Sequence, residues 1–531
     1  MLFNSLEYLL FFTCLFFAYY VLPRRFQWML LLAFSLVFYL CSDIKFVVFL
    51  MLSICITYGC SVYIGVINNK FDAAIHLQGK DITRSEKKKI RTNFDHQKRI
   101  VLVLALVANI GILAFLKYFN FISKNINGAL SLFGVPANIP ALNLFLPLGI
   151  SFYTFTSTGY LIDVYRGEMP PQKNLAKYAL FVSFFPHILQ GPISKYSDLA
   201  PQLYAYHDFN YDQVANGLRL MIWGYFKKVV IADRAALFVN QIFGDYSQYA
   251  GFQILIAAVL YAVQIYADFS GYMDIAKGSA ECLGIRLADN FIRPYFSKSI
   301  AEYWRRWHIT LGEWLRNYVF YSILRSGWCN HIAKASKKHL PKSLTQKVPS
   351  VIGLAISWLI IGAWHGASWH YIFHGIYHGS LIILAMLFAP FFKWLVEKLR
   401  INTECFSYRL FQVIRTFSLV CLGYIIFRAP GLKLAFQMIK HMFIHFMPAV
   451  IIDDVLIQQG FDYRYFFPLI FFSMILLVVS LMQRRMNLRQ ALAKQNVLFR
   501  WMVYFCAAFF ILFYGVWNFG SSANQFIYFQ F

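Results

Sequence analysis

Ionisable side chains set inside long apolar runs are the first place to look for chemistry in this chain, because such groups are costly at membrane depth and mark function by default. His308 follows Arg305, Arg306 and Trp307 in AEYWRRWHITLGEWLRNYVF (301–320), a stretch with three arginines, two acids and three tryptophans. His365 closes the run VIGLAISWLIIGAWHG and directly precedes Gly366. An imidazole titrates near neutral pH and, when neutral, accepts a proton. His365 therefore reads as a general base, with Gly366 allowing close approach of backbone or ligand; the competing reading is a histidine held for structure alone. His370, His374 and His378 recur at i, i+4 and i+8, one face of a helix. A metal site is conceivable there, but no cysteine or acid stands near to complete it, and no metal is expected. The arginines of 305–325 have an alternative as snorkelling residues at a helix end. Asp268 and Asp274, in YADFSGYMDIAKGSAECLGI (266–285), either serve the site, cap a helix or pair with Arg305 and Arg306.

Two further polar clusters interrupt the apolar sequence. PLGISFYTFTSTGYLIDVYRG (147–167) carries five Ser or Thr residues before Asp163, and FFPHILQGPISKY (184–196) breaks an apolar run with two prolines and a glycine. Broken backbone at membrane depth is tolerated only where protein or a water-filled cavity satisfies it. There is no G-x-S-x-G elbow, P-loop or dinucleotide fingerprint.

The elements that position these residues follow from composition. The 531 residues include 56 Phe and 34 Tyr, and only 14% are charged, against about 25% in soluble domains. Apolar segments near 5–22, 26–41, 44–66, 100–117, 143–165, 178–190, 214–233, 250–267, 351–363, 371–392, 410–427, 465–482 and 500–518 predict about ten to twelve crossings, with 178–190 and 351–363 short enough to be re-entrant or tilted. The expected fold is an all-α polytopic membrane protein in one domain, 1–531. The first segment opens with Glu7 and lacks a small-residue cleavage site, so it is read as a span and not a signal peptide. The nine cysteines are scattered without a CxxC pair, which makes neither a disulfide framework nor a zinc knuckle.

A net charge of +25 raises the question of nucleic acid, but the basic residues cluster between spans. Segment 66–99 holds nine Lys or Arg, and 329–347 holds five with no acid. Positive loops mark the cytoplasmic face and suit anionic lipid, so no nucleic-acid partner is expected. Alternation then puts Arg24 and Arg25 inside, 41–44 outside, 66–99 inside, 120–142 outside and Arg166, Lys173 and Lys177 inside, with the N-terminus outside.

In order and spacing, LPLGISFYTF, FFP with GPI.KY, WGYFKKVVIADR (223–234), DFSGYMDIA, NFIRPYFSKSIAEYWRRWHITL, WHGASW, GIYHG, IIFRA (425–429) and the tail FIYFQF (526–531) run through nearly the whole chain. By these motifs the sequence resembles the membrane-bound O-acyltransferase family, in the bacterial branch of alginate O-acetylation, of related polysaccharide or peptidoglycan acetylation and of teichoic acid D-alanylation. The resemblance implies a helical bundle with a central tunnel, a catalytic core at about 143–380, and catalytic roles for His365 and His308. Asn317 stands where the family commonly has Asp; other branches pair an Asn with the catalytic histidine, so it joins the catalytic set. Arg305, Arg306, Trp307, Arg316, Asp268, Ser270 and Trp364 are the implied substrate- and donor-binding residues. The implied donor is cytosolic acetyl-CoA, used as a substrate, with no cofactor expected, and its phosphates would suit the arginines.

The implied activity is an O-acetyltransferase of a bacterial cytoplasmic (inner) membrane. It would pass acetyl groups outward to a polysaccharide through a periplasmic or membrane-anchored acceptor protein. D-alanyl transfer, a transporter and a non-catalytic scaffold for a periplasmic acetyltransferase are the alternatives; a transporter predicts an inverted repeat, and none is visible. The charge map makes a direct prediction. A cysteine placed at Asn127 reacts with an impermeant thiol reagent in intact cells and one at Ser85 does not; the reverse pattern would overturn the orientation.

Overall fold

The structure, a computed structural model, describes residues 1–517 except 2, 42, 78–82, 136–137, 190 and 449–462. The FIYFQF tail and most of 445–463, which the sequence offers as an outer segment beside 120–142, lie outside the described residues. Every regular element among the described residues is helical; the one β-bridge joins Phe291 and Trp307. Among the described residues seven helices are long and apolar enough to cross a membrane, and Leu6–Val21 and Phe466–Met482 are shorter apolar helices. The fold is thus all-α and polytopic. Fewer helices reach spanning length than the apolar runs suggest, because Gln27–Leu40, Ile150–Arg166 and Leu175–Ser183 are short. Apolar helices of 10–14 residues are more often core than span. The run at 351–363 departs from expectation the other way: it belongs to Val348–His365, within one of the seven.

The two longest helices among the described residues overshoot any bilayer. Ile44–Leu77 has 34 residues and Arg84–Leu132 has 49, about 50 Å and about 74 Å at 1.5 Å per residue, against a hydrocarbon core of about 30 Å. The basic segment 66–99, expected as a loop, is therefore largely helical. Its second helix begins in a capping box, where the Thr83 hydroxyl accepts the Glu86 N–H at 3.3 Å and the Glu86 carboxylate accepts the Thr83 N–H at 3.1 Å. At the helix's far end Asn127 both donates to and accepts from the Ile139 backbone at 3.0 Å. Exposed Ala129 is accordingly a gentler place for the labelling cysteine.

The chain divides into two compact units. The first comprises Met1–Gly217 with Ser279–Ala288. Here the Ser/Thr-rich helix Ile150–Arg166 is almost wholly buried. Ser157 and Thr158 donate back to the Tyr153 and Thr154 carbonyls at 2.7 and 2.6 Å. Ser53 donates to Asn109 Oδ1 at 2.6 Å and lies 3.3 Å from Ser157 Oγ, so three helices share one polar seam. The break at FFPHILQGPISKY is filled by protein: the Phe185 N–H donates to Ser35 Oγ at 3.2 Å, and His187 Nε2 pairs with the Phe181 carbonyl at 2.8 Å.

The second unit comprises Leu218–Gly278 and Asp289 onward, and it holds both predicted catalytic histidines. Its hairpin Val348–His365 and Trp369–Leu387 packs through glycine. A Cβ on Gly375 would lie 2.4 Å from the Trp358 carbonyl and 3.0 Å from Gly362 Cα, and one on Gly379 would lie 2.7 Å from Trp358 Cβ. Gly375 and Gly379 form a small-xxx-small pair, which lets helix backbones approach and substitutes dispersion for the absent hydrophobic drive. Gly375→Ala should therefore lower the protein's melting temperature in detergent, by about 1–3 kcal/mol of overpacking. Gly111→Ala, with nothing within 4 Å of its Cβ, should leave it unchanged or slightly raised. Equal melting temperatures for the two variants would contradict this packing.

Candidate active site

Residues 290–310 fold as a tight corner that turns His308 inward. Ser299 caps the helix Ile300–Arg306 by accepting the Glu302 N–H at 3.2 Å, and the Glu302 carboxylate accepts the Lys298 N–H at 2.8 Å. A two-stranded contact follows: the Ile292 N–H donates to the Arg306 carbonyl at 3.0 Å and the Ile309 N–H to the Asn290 carbonyl at 3.1 Å. Between them His308 takes φ 46°, ψ 54° and opens the helix Ile309–Leu315. A non-glycine residue in this left-handed region persists only where its surroundings over-determine it, and such residues cluster at functional sites. The His308 side chain is 2% exposed. Its Nδ1 lies 3.2 Å from Asn290 Oδ1, which also accepts the Thr310 N–H and hydroxyl at 3.0 and 3.1 Å. Outside the spans, burial pushes the His308 imidazole down to about 3, so the ring is neutral at physiological pH.

His365 ends the helix Val348–His365, and Gly366 continues in extended backbone. A Cβ on Gly366 would meet the Tyr371 ring at 2.3 Å, so the close neighbour foreseen for this glycine is an aromatic side chain. Trp364 joins the two histidines: its ring centroid is 4.9 Å from His365 and 5.8 Å from His308. Phe269 meets His308 edge-on at 4.9 Å and Phe427 meets His365 edge-on at 5.0 Å. Both imidazoles are thus buried in one aromatic setting. His374 and His378 continue it, with His374 at 6.1 Å from His365 and 4.6 Å from His378. Gly423 admits His378, since a Cβ there would lie 2.5 Å from Nε2. His370 stands apart from that chemistry, with Nδ1 2.8 Å from Ser368 Oγ. Among the described residues no group of three His, Cys, Asp or Glu side chains is arranged to hold a metal.

The other predicted residues fall in three places. Trp307 is buried against Phe291, Tyr303 and Tyr424, at 5.0, 5.7 and 6.1 Å, and backs the His308 corner. Arg305 and Arg316 are exposed, Asn317 is half-buried in the π-helical turn Arg316–Phe320, and Arg306 is ion-paired to Glu302 at 2.6 Å one helix turn away. Asp268 and Ser270 belong to a buried network with residues that sequence reasoning did not single out. Lys228 Nζ lies 2.7 Å from both Asp233 and Asp268, while Lys227 Nζ lies 2.8 Å from Asp274 and donates to Ser270 Oγ at 2.8 Å. The aspartates therefore pair with Lys227 and Lys228; of the readings open for them, pairing with Arg305 and Arg306 is not the one the structure shows.

Local folding explains the pairing. Phe226–Ala232 is a π-helical turn, and the helices cross at Gly224 and Gly271, where a Cβ on Gly224 would lie 2.7 Å from the Gly271 carbonyl. The π turn puts two consecutive lysines toward the helix Gly251–Cys282, and the glycines let it come near enough for both to reach acids. Asn290 was the other omission. It opens the quoted NFIRPYF motif, but an asparagine in a polar linker reads as a turn former, and only the folded corner reveals its bond to His308.

Comparison with known proteins fits this arrangement. The membrane-bound O-acyltransferase family model matches residues 171–334, which include the lysine network, Asn290 and His308. The chain is 33% identical over 444 residues to a protein of Azotobacter vinelandii described as a probable alginate O-acetylase, covering 83% of this chain and 78% of that one. It is 31% identical over 374 residues to a peptidoglycan O-acetyltransferase of Helicobacter pylori, covering 65% of each. To a teichoic acid D-alanyltransferase of Bacillus subtilis it is 29% identical over 302 residues, 54% of this chain and 70% of that one.

The lysine network yields a stability prediction with an internal order. Removing one partner of a buried pair costs about 3–5 kcal/mol, and Lys228 neutralises two carboxylates where Asp268 meets one ammonium. Lys228→Met should lower the melting temperature in detergent further than Asp268→Asn. The opposite order would contradict a lysine shared between two acids.

Proposed function

Because the chain belongs to the membrane-bound O-acyltransferase family, we propose that it takes acetyl groups from cytosolic acetyl-CoA and passes them across a bacterial cytoplasmic membrane to a cell-surface or secreted polysaccharide. The protein is a multi-pass membrane O-acyltransferase. The relatives named for alginate and peptidoglycan acetylation support acetyl as the acyl group and a glycan as the final acceptor. The observation that carries the reading to particular residues is the pair of buried imidazoles, His308 and His365, on either side of Trp364.

The chemistry asked of them is modest. An acceptor hydroxyl gives its proton to His365 as its oxygen attacks the thioester carbonyl. The tetrahedral oxyanion collapses, the carbon–sulfur bond breaks, and the proton on His365 passes to the departing thiolate. An ester and a free thiol are released, and the base is restored. Buried aromatic walls keep water from competing for the acyl group. The exposed guanidinium groups of Arg305 and Arg316 suit the phosphates of the donor on the cytoplasmic side. Asp268 and Ser270 serve by holding the lysine turn, and Trp307 by backing His308.

Orientation with the N-terminus outside gives the flux its direction, and it rests on the basic segments. The acceptor hydroxyl in this reading belongs to a separate periplasmic or membrane-anchored protein that completes the transfer, since apart from segments 120–142 and 445–463 little of the chain is available outside to hold a polymer. D-alanyl transfer is a second reading, favoured by the Bacillus subtilis relative.

Reconstituted protein supplied with labelled acetyl-CoA should acetylate polymer only with its partner present. His365→Ala should reduce transfer about 10²–10⁴-fold at normal membrane levels, while His370→Ala has little effect. Full activity in the His365 variant would remove it from the catalytic role. Efficient acetylation by the chain alone would overturn the relay, and turnover of a D-alanyl donor in place of acetyl-CoA would favour the second reading.

A further inference from the structure

The carboxamide of Asn290 can be oriented without ambiguity. It is 2% exposed, and its Oδ1 faces the Thr310 backbone N–H at 3.0 Å. A backbone N–H only donates, so the atom facing it is the oxygen, and a reversed amide would set two donors against each other. The Nδ2 end then points to Met273 Sδ at 3.6 Å, a weak acceptor. His308 Nδ1 lies 3.2 Å from that same oxygen. An amide oxygen only accepts, so Nδ1 must carry the hydrogen. In a neutral imidazole the lone pair is then on Nε2. That nitrogen is buried and makes no hydrogen bond to any described residue. The backbone leaves the ring little freedom to turn away. His308 has a left-handed φ, the Ile309 N–H is held by the Asn290 carbonyl at 3.1 Å, and Phe269 packs edge-on against the imidazole.

We infer that Asn290 is a positioning residue for acyl transfer: it holds His308 as the Nδ1–H tautomer, so that Nε2 offers the substrate a lone pair and never an N–H. The consequence for the reaction rests on the functional reading above, and the tautomer itself does not. A neutral His308 locked in this way serves as a hydrogen-bond acceptor or a base toward the incoming hydroxyl. It cannot donate to the developing oxyanion, and that task falls to other groups. The tautomer of a histidine is commonly set by what its other nitrogen bonds; here the partner is an amide, which fixes the tautomer without adding a charge to an apolar setting. An aspartate in its place would fix the same tautomer but would make the imidazole more basic.

The test uses the full-length protein in lipid. Solid-state nitrogen NMR of protein labelled at histidine reads the tautomer, with the His308 signal identified by its loss in His308→Gln. Wild type should carry its hydrogen on Nδ1. Asn290→Ala should lose that single state, and kcat should fall about 10–100-fold, as for other outer partners that orient an imidazole, with the KM for acetyl-CoA changed far less. Asn290→Asp should keep the Nδ1–H signal and move the acid limb of the pH–rate profile to higher pH, a displacement that a purely structural role would not produce. An Nε2–H signal in wild type, or undiminished kcat in Asn290→Ala, would overturn the assignment. Should Asn290→Ala fail to fold, the wild-type spectrum and the Asn290→Asp profile still decide it. Wild-type protein with the Nδ1–H tautomer and no acyl transfer would overturn the functional reading and leave the tautomer standing.

Discussion

A polar group placed at membrane depth must find its partner within the protein, because lipid offers none. Most of what is distinctive in this molecule answers that constraint, and it does so in three ways. Hydroxyls in Ile150–Arg166 bond back to their own helix or to the next. Charges are met by opposite charges, as where Lys228 lies between Asp233 and Asp268. The His308 imidazole is kept neutral and surrounded by rings, with Asn290 within hydrogen-bond distance to orient it. The last solution leaves reactive nitrogen in an apolar setting, which is the condition a general base requires.

Close helix approach is the means by which these partners meet. The Gly224–Gly271 crossing brings Lys227 and Lys228 onto the acids of Gly251–Cys282, and the Gly375–Trp358 contact draws together the hairpin that presents His365. In both places a methyl group would push apart helices whose separation sets a polar contact. Packing and chemistry therefore depend on the same few glycines. The buried ion pairs are costly to assemble, and removing either partner is costlier still, so they tie the π turn Phe226–Ala232 to its neighbour whether or not they touch substrate.

The helical architecture was legible because long apolar runs in a chain with few charges admit few other folds. Run length marked 178–190 as short, and Leu175–Ser183 is a short buried helix, but it did not show that polar sequence stays helical, as at 66–99. Histidines and acids announced themselves by being polar in apolar company, and His365 and His308 do share one aromatic setting around Trp364. Their partners were harder to see. Lys228 is 40 residues from Asp268 and faces it only through a π turn and a glycine crossing, while Arg305 and Arg306 were the nearer guess along the chain. Asn290 precedes His308 by 18 residues across a corner whose left-handed turn no propensity announces. Residue type marked where chemistry could occur; which groups bond each other depended on backbone geometry.

The central claim is that acyl transfer takes place beside Trp364, between His365 and His308. The most direct measurement is an experimental structure of the protein with a coenzyme A thioether analogue in which the scissile thioester sulfur is separated from the carbonyl by a methylene group. The account predicts the analogue's carbonyl carbon next to Trp364, with both imidazoles near enough to reach, at about 3 Å or through one water, a hydroxyl placed to attack it. An analogue bound with that carbon remote from both histidines, or seated against the Lys227–Lys228 network, would contradict it.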